Sequence, residues 1–330
     1  MTELRDTTIL VTGADGFIGS HLVERLLQEG AAVRAFCLYN SNGSAGWLDD
    51  LDPYLRDGID VRFGDIRDAE FVREATRGVD LVAHLAALIA IPYSYTAPRS
   101  FVETNITGTL NVLEAARQNE FRLVSASTSE VYGTPQEVPI TEGHPLQGQS
   151  PYSASKIAAD KLCESYARSF DTPVTVLRPF NTFGPRQSAR AVIPVILSQL
   201  LTGVSEVRLG ALTPKRDFTF VSDTVDGFVR ALATDLAPGE VIQLGTGEAV
   251  SIGEVFDLCA DLLGVSATAV SEEERLRPAN SEVGILLSNP ARAEKLLGWS
   301  AQVGLAEGLK RTAEWLAPRA DRRTAIRFQR

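Results

Sequence analysis

Three glycines near the start of this 330-residue chain constrain its fold more than any other feature. In the segment ILVTGADGFIGSHLVERLLQEG, Gly13, Gly16 and Gly19 follow an apolar run typical of a buried strand and open an amphipathic helix. Glycine allows a tight turn, and it lets backbone N–H groups and the positive end of the helix approach a pyrophosphate. A glycine triplet alone is common, but the order of strand, triplet and helix predicts a dinucleotide-binding βαβ unit.

Strands and helices alternate along the first part of the chain. Strands are predicted at Thr8–Thr12, Ala32–Leu38, Asp60–Phe63, Asp80–Leu85, Arg122–Ser127 and Val174–Arg178. Helices between them are predicted at Phe17–Glu29, Asp68–Thr76, Arg99–Gln118 and Pro151–Ser169. This alternation implies parallel pairing, so we expect an α/β fold built on a Rossmann-like doubly wound sheet.

The alternation becomes less regular near residue 180, where prolines interrupt the chain and its elements shorten. We therefore predict a dinucleotide-binding domain at residues 1–180 and a smaller α/β substrate-binding lobe at residues 181–330. The segment EVIQLG, residues 240–245, has the pattern of one more buried strand, and we expect it to return to the first sheet.

Composition limits the partners of the chain. The formal net charge is −10, from 32 basic and 42 acidic residues, which argues against a nucleic acid or an anionic membrane as partner. No apolar run approaches the ~20 residues of a membrane span, and the N-terminus leads straight into a strand without a signal peptide. Three scattered cysteines and three histidines predict no metal site and suit a reducing compartment, so we expect a cytoplasmic protein.

A tyrosine and a lysine lie four residues apart in the segment SPYSASK. On the predicted helix Tyr152 and Lys156 share one face, where the ammonium group would stabilise the phenolate and lower the tyrosine pKa from about 10. Such a pair is frequent by chance, but here it follows the polar strand end SASTSEVYG, residues 125–133. Because the carboxyl ends of parallel strands line the ligand crevice, we expect Thr128 to complete a proton path to a substrate alcohol.

The end of the second predicted strand bears on the choice of dinucleotide. Its sequence RAFCLYNSN offers no acidic residue for the ribose 2′-hydroxyl of NAD and no arginine at the tip for the 2′-phosphate of NADP. This pattern favours NAD as the cofactor, and NADP remains an alternative.

Further motifs follow in a fixed order along the chain. They are HLAA (84–87), Asn105 in TNITGT, STSEVYG, Tyr152-x-x-x-Lys156, RPFNTFGPR (178–186) and RDFTFVSD (216–223). Together with the glycine triplet, and over about residues 7–316, they resemble the extended short-chain dehydrogenase/reductases that act on nucleotide sugars. The segments IPYSYTAPRSFVETNITGTLNVLEAA, PLQGQSPYSASKIAADK, GPRQSARAVIPVILSQL and RPANSEV more closely resemble the N-acetylglucosamine nucleotide 4,6-dehydratases of the legionaminic acid pathway.

The resemblance implies a homodimer, a bound NAD, a nucleotide-sugar substrate and a role for individual residues. The implied cofactor-binding residues are Gly13, Gly16, Phe17, Ile18, Gly19, Tyr39, Asn40, Asp65, Ile66, Ala86, Ala87, Asn105, Tyr152, Lys156 and Pro179. The implied substrate-binding residues are Ser129, Asn181, Arg216 and Arg277, with the two arginines and Asn181 directed at the diphosphate.

Glu130 decides among the reactions of this family. A 4,6-dehydratase oxidises C4, removes the C5 proton and expels the 6-hydroxyl, and one carboxylate can serve as base and then as acid. We therefore expect Thr128, Glu130, Tyr152 and Lys156 to be catalytic. The alternatives are a UDP-glucuronate decarboxylase, for whose substrate carboxylate the sequence identifies no cation, a 4-epimerase, a 5,6-dehydratase and a non-catalytic dinucleotide sensor. In a purely structural role, Glu130 would cap a turn or pair with an arginine.

Overall fold

A parallel sheet forms the centre of the computed structural model, which describes residues 4–320. The strands are β1 Thr8–Thr12, β2 Ala32–Leu38, β3 Asp60–Gly64, β4 Leu81–His84, β5 Arg122–Ala126, β6 Val174–Pro179, β7 Asn181–Phe183, β8 Glu206–Leu209, β9 Lys215–Arg216, β10 Phe218–Phe220, β11 Val241–Leu244, β12 Val250–Ser251, β13 Thr268–Ser271 and β14 Ile285–Leu286. The central sheet has the spatial order β11-β6-β5-β4-β1-β2-β3, and all its neighbouring strands are parallel. This order is that of a doubly wound sheet, which confirms the predicted fold class.

Helices connect the strands and cover both faces of the sheet. They are α1 Phe17–Gln28, α2 Pro53–Arg56, α3 Ala69–Ala75, α4 Ile91–Thr96, α5 Pro98–Phe101, α6 Gly108–Asn119, α7 Pro151–Phe170, α8 Val192–Leu201, α9 Val221–Ala233, α10 Ile252–Leu263, α11 Ala291–Leu297 and α12 Leu305–Leu316. Shorter 3-10 turns lie at Gly46–Asp50, Ser129–Tyr132, Glu273–Arg275, Ala279–Ser281 and Ala317–Arg319. Among residues 4–320, no helix is both long enough and apolar enough to cross a membrane.

Successive side chains of the inner strands enter two different cores. Ile9 and Val11 of β1 pack with α1 and α9 on one face, whereas Leu10 packs with α3, α6 and α7 on the other. This double burial explains why the strands are continuous apolar runs rather than alternating ones.

The helix predicted at residues 99–118 is present and continuous in the structure, but its middle part is a π-helix. The chain forms α5, then a π-helical segment at Val102–Thr107, and then α6. The wider turn coincides with Asn105, whose side chain is 1% exposed and bonds to Leu88 and Ser155. A π-segment of this kind inserts one residue into a helix and is frequent at functional sites.

The chain beyond residue 180 contributes to both parts of the fold. Strand β11 pairs with β6 at the edge of the central sheet, as expected for the segment at residues 240–245. Smaller sheets join β7 with β10, β9 with β12 and β14, and β8 with β13. The division into two lobes near residue 180 stays a prediction.

Candidate functional site

The glycine turn after β1 leaves no room for side chains. Gly13 has a φ of +67°, and a Cβ there would lie 2.9 Å from the Cα of Ala86. A Cβ on Gly19 would lie 2.1 Å from the carbonyl oxygen of Gly13. Phe17 and Ile18 start α1 and pack against the core, and Gly16 caps the helix without a side-chain hydrogen bond. The turn therefore presents backbone N–H groups at an open helix N-terminus, which fits a pyrophosphate.

A buried histidine fixes the segment that follows β4. His84 Nδ1 accepts from the Thr12 hydroxyl (2.8 Å), and its Nε2 donates to the Thr109 hydroxyl (3.1 Å), because Thr109 itself donates to the Asn105 carbonyl (2.7 Å). Thr12 Oγ1 in turn accepts from the N–H groups of Leu85 and Ala86. Burial, followed by the charge of Lys156, lowers the pKa of His84 to about 3. The imidazole is thus neutral and holds the segment after β4 in place through its hydrogen bonds.

Asn105 links the segment after β4 to the helix that carries the tyrosine. Its Oδ1 accepts from Leu88 N (2.8 Å), and its Nδ2 donates to the Leu88 carbonyl (2.9 Å) and to Ser155 Oγ (2.9 Å). Ala86 and Ala87 precede Leu88 and are half-buried. Asn105 therefore shapes the wall of the crevice and uses its side chain for protein contacts.

The two other predicted cofactor segments differ in how their side chains are used. Asn40 bonds within its own loop, since Nδ2 donates to the carbonyls of Leu38 and Ser44 and Oδ1 accepts from two backbone N–H groups. Tyr39 is 71% exposed. After β3, Ile66 is buried, and the Arg67 guanidinium holds the pKa of Asp65 below its usual value. A shallow pocket at this point is lined by Asp65, Arg67, Asp68, Glu103 and Thr107.

Helix α7 begins at a capping box, formed by Ser150 and Ser153, which fixes the orientation of the Tyr152 turn. Tyr152 is 7% exposed, and Lys156 Nζ donates to the Ala126 carbonyl at 2.7 Å. Burial raises the pKa of Tyr152, an interaction with the Thr128 hydroxyl lowers it, and the charges of Glu130 and Asp160 raise it further. The expected lowering by Lys156 is thus not found, because burial dominates and the ammonium group bonds to a strand carbonyl.

A buried ion pair that was not predicted from the sequence lies one helical turn beyond Lys156. Asp160 Oδ2 lies 3.0 Å from Arg178 Nη2 and accepts from the Ser127 hydroxyl at 2.8 Å. The charge of Asp160 also opposes the effect of burial, which lowers the pKa of Lys156. An acidic residue four positions after the lysine was the available signal, since the two share a helix face. The pair anchors α7 to the ends of β5 and β6.

Four charged side chains converge beyond the end of β5. The Thr128 hydroxyl accepts a hydrogen bond from the Glu130 N–H (3.2 Å). The Glu130 side chain is 14% exposed. Arg277 Nη1 lies 3.7 Å from Glu130 Oε1 and 3.9 Å from Glu282 Oε1. Arg277 Nη1 is buried and makes no hydrogen bond within the part of the chain that the structure describes. Glu130 therefore does pair loosely with an arginine, and that arginine is Arg277.

The second arginine of this cluster is occupied by protein partners. Arg216 is 5% exposed, and it donates to the Val283 carbonyl at 2.8 Å and to Glu282 Oε1 at 3.1 Å. Burial lowers its pKa, while the charges of Glu130 and Glu282 raise it. Arg216 therefore adds a buried positive charge to the cluster. Glu282, which was not predicted from the sequence, pairs with Arg216 and holds its guanidinium in place.

The remaining predicted substrate residues flank this cluster. Asn181 N donates to the Asp217 carbonyl (2.9 Å), and Asn181 Oδ1 is buried with no partner among residues 4–320. Ser129 is 3% exposed at the start of the 3-10 turn. Pro179, which was predicted to contact the cofactor rather than the substrate, is buried at the end of β6. The same described residues contain no group of His, Cys, Asp or Glu side chains suited to a metal ion.

Known proteins similar to this chain include nucleotide-sugar 4-epimerases and 4,6-dehydratases. The UDP-glucose 4-epimerase of Mycolicibacterium smegmatis is 34% identical over 313 residues, which cover 93% of this chain and 97% of that protein. The dTDP-glucose 4,6-dehydratase of Streptomyces antibioticus is 33% identical over 314 residues, which cover 93% of this chain and 91% of that protein. The solved dTDP-glucose 4,6-dehydratase of Streptomyces venezuelae, with NAD and TYD bound, has a TM-score of 0.82 and 31% identity, covering 94% of this chain and 97% of that one.

Both activities are therefore represented at similar identity, and the comparisons do not separate lyase from isomerase. The sequence model of the GDP-mannose 4,6 dehydratase family matches residues 10–312, which include the glycine turn, Glu130, the Tyr152–Lys156 helix and both arginines of the charged cluster. The chain is thus an enzyme that belongs to the GDP-mannose 4,6 dehydratase family, among the NAD-dependent nucleotide-sugar dehydratases and epimerases.

Proposed function

We propose that the protein is a nucleotide-sugar 4,6-dehydratase that converts an NDP-hexose or an NDP-N-acetylhexosamine to its 4-keto-6-deoxy form. The observation that carries this proposal is the position of Glu130. Its largely buried carboxylate follows Thr128 at the carboxyl end of β5, beside the helix of Tyr152. A 4-epimerase needs no base at C5, whereas a dehydratase needs a base for the C5 proton and an acid for the departing 6-hydroxyl.

Tyr152 and Thr128 act at C4 in this scheme. The phenolic oxygen takes the proton of the 4-hydroxyl, either directly or through the Thr128 hydroxyl. The positive charge of Lys156 lies one helical turn from the tyrosine, where it would stabilise the phenolate. Bound NAD would accept the C4 hydride and later return it to C6, so that the overall reaction consumes no oxidant.

Glu130 acts at C5 and C6. The new 4-keto group makes the C5 proton acidic, and the carboxylate removes it. The same group, now protonated, gives its proton to the 6-hydroxyl, so the C6–O bond breaks and water leaves. A proton from solvent then returns to C5 as C6 is reduced, and Tyr152 releases to solvent the proton that it took from the 4-hydroxyl. The net change is the loss of one water molecule.

The charged cluster supports the binding of a diphosphate. Arg277 has a buried Nη1 without a hydrogen-bond partner in residues 4–320, and a guanidinium pairs well with phosphate oxygens. Asn181 has a buried amide oxygen that also lacks a partner in that range, so it is available to a ligand. Arg216 adds positive charge from below. We propose these three residues as the diphosphate site.

A uronic acid nucleotide is the second candidate substrate, because Arg277 supplies a cation close to Glu130. Such a substrate would undergo decarboxylation or 4-epimerisation. The first proposal is favoured because a substrate carboxylate would lie beside the Glu130 carboxylate, and like charges this close repel.

The products separate these reactions. Purified protein is incubated with a panel of UDP-, GDP-, CDP- and dTDP-sugars, including UDP-glucuronate, and the products are analysed by mass spectrometry. Loss of water supports the dehydratase, loss of carbon dioxide supports the decarboxylase, and an isomer of unchanged mass supports the epimerase. The dehydratase proposal fails if no sugar in the panel loses water while another reaction proceeds.

We also propose a symmetric homodimer in the cytoplasm, as the family resemblance and the sequence imply. Helices α6 and α7 lie side by side on one face of the sheet and are the surface that would pair with a second copy. A sedimentation experiment at micromolar concentration tests the dimer, and a strictly monomeric active species would contradict it.

A further inference from the structure

We propose that Asp15, in the glycine turn, recognises the 2′-hydroxyl of the adenosine ribose and thereby selects NAD over NADP. An acidic residue at the tip of the second strand usually does this in doubly wound folds. In this chain the tip is Leu38–Asn40, which carries no acidic side chain. The proposal depends on dinucleotide binding alone and holds whichever sugar reaction the protein catalyses.

The carboxylate of Asp15 lies where the missing acid would lie. Asp15 Oδ2 accepts from the backbone N–H of Leu38, the last residue of β2, at 3.4 Å. The carboxylate also accepts from the N–H of Asp15 itself. Two backbone N–H groups therefore hold the Asp15 carboxylate near the ends of β1 and β2. Because an ionised carboxylate can accept about four hydrogen bonds, its remaining acceptor positions are available to ribose hydroxyls.

The loop after β2 holds the backbone of Asp15. Trp47 N donates to the Asp15 carbonyl at 3.2 Å, and Gly46, with a φ of +60°, approaches so closely that a Cβ there would lie 2.4 Å from that carbonyl oxygen. Trp47 is itself fixed by edge-to-face contact with Trp315. The loop around Asn40 is folded by its own hydrogen bonds. Asp15 is thus part of a formed structure rather than a free surface carboxylate.

The charge around Asp15 is negative. The Asp49 carboxylate accepts from Ser44 Oγ (2.7 Å) and Ala45 N (3.0 Å) in the same loop. Burial, followed by the charges of Asp15 and Asp49, raises the pKa of the Cys37 thiol to about 12, so both carboxylates lie near the end of β2. No lysine or arginine occurs in the sequence between Arg34 and Arg56.

Arg67, the cation that follows β3, is already paired with carboxylates of the protein. Arg67 lies 2.6 Å from Asp65 and 3.6 Å from Glu103. A 2′-phosphate would therefore meet the Asp15 carboxylate without a free cation in the described parts of these two loops. Repulsion between such charges a few ångströms apart corresponds to a preference for NAD of about tenfold or more.

A competition experiment tests the proposal on the whole protein. Each protein is incubated with equal concentrations of NAD+ and NADP+, freed of unbound nucleotide and denatured, and the released dinucleotides are quantified by mass spectrometry. We expect the wild type to release NAD in excess, Asp15→Asn to shift the ratio towards NADP by about tenfold, and Asp15→Glu, which keeps the charge, to retain most of the preference. Asp52→Asn is the matched control, because Asp52 caps the nearby helix α2 and lies outside the turn.

Two results would overturn the proposal. One is a wild type that releases as much NADP as NAD, and the other is an Asp15→Asn variant whose ratio equals that of the wild type and of Asp52→Asn. If Asp15→Asn does not fold, as judged by circular dichroism, Asp15→Ser replaces it and the same two results apply. Neither depends on a sugar substrate, so a failure here is distinct from a failure of the proposed dehydration.

Discussion

Arg277 Nη1 lies 3.7 Å from Glu130 Oε1. The guanidinium comes from the loop after β13 and the carboxylate from the turn after β5, so the contact joins a late segment of the chain to the end of a central strand. The distance is too long for a hydrogen bond, and Nη1 has no other hydrogen-bond partner in the described chain. Buried donors are almost always bonded in native proteins, so we infer that the substrate completes this one.

Replacing Arg277 by Gln should weaken substrate binding. A charge-assisted hydrogen bond contributes roughly 1.5–3 kcal/mol, so KM for the nucleotide sugar should rise about tenfold or more. The KM of Arg277→Lys should lie between those of the wild type and Arg277→Gln, because lysine keeps the positive charge but lacks the planar guanidinium. Arg208→Gln is the control, since Arg208 is half exposed and pairs with Glu272, away from the charged cluster. An Arg277→Gln protein with the KM of the control would remove Arg277 from the substrate site.

Replacing Tyr152 by Phe should abolish the first half of the reaction. The ring stays packed against Phe101, but the hydroxyl that takes the 4-hydroxyl proton is lost, which typically costs ~10²–10⁴-fold in rate. In a single turnover, the absorbance of the reduced dinucleotide should not appear, because no hydride is transferred from C4. Tyr166→Phe is the control, because Tyr166 lies on the same helix as Tyr152 and its hydroxyl bonds to Glu114 of α6. This variant should leave the reduction step unchanged. Normal reduction in Tyr152→Phe would refute the assignment.

His84 should make the folded protein sensitive to acid. Its pKa is lowered by burial to about 3, so the unfolded chain takes up a proton below its ordinary pKa of 6.5 while the folded chain does not. This contribution to stability is fully present above pH 6.5 and is lost as pH falls towards 3, by roughly 1.4 kcal/mol for each pH unit.

Thermal unfolding between neutral pH and pH 4 measures this effect. His84→Gln retains a donor and an acceptor but does not titrate, so its melting temperature should fall less steeply with acid than that of the wild type. Equal slopes for His84→Gln and the wild type would show that His84 does not carry the acid sensitivity.

The elements that were predictable from sequence are those fixed by local pattern. Strands such as β1 and β6 are buried on both faces and therefore read as continuous apolar runs. The glycine turn is specified by positions where a Cβ would collide, and Pro151 with Ser150 marks the start of α7. The π-segment was not predictable, because it depends on the bond between Asn105 and a distant backbone at Leu88.

The parts of the site that sequence reasoning missed are contacts between distant segments. Asp15 meets the end of β2, Asp160 meets Arg178, and Glu282 holds Arg216, and none of these pairs has a periodic signature. The position of Lys156 differs from the expectation for a related reason. A helix pattern shows which residues share a face, but it does not show that the Ala126 carbonyl receives the ammonium group.

The most direct test of the proposed dehydration is the behaviour of Glu130→Gln in D2O with an accepted nucleotide sugar. The amide keeps the size of the side chain but cannot remove the C5 proton, whereas Tyr152, Thr128 and Lys156 are intact. We expect the reduced dinucleotide to form, while water loss and deuterium incorporation at C5 fall together by ~10²–10⁴-fold. Glu137→Gln, an exposed neighbour in the same segment, is the control and should match the wild type. If Glu130→Gln loses water and exchanges C5 at the rate of that control, Glu130 is not the acid–base residue and the dehydratase account is wrong.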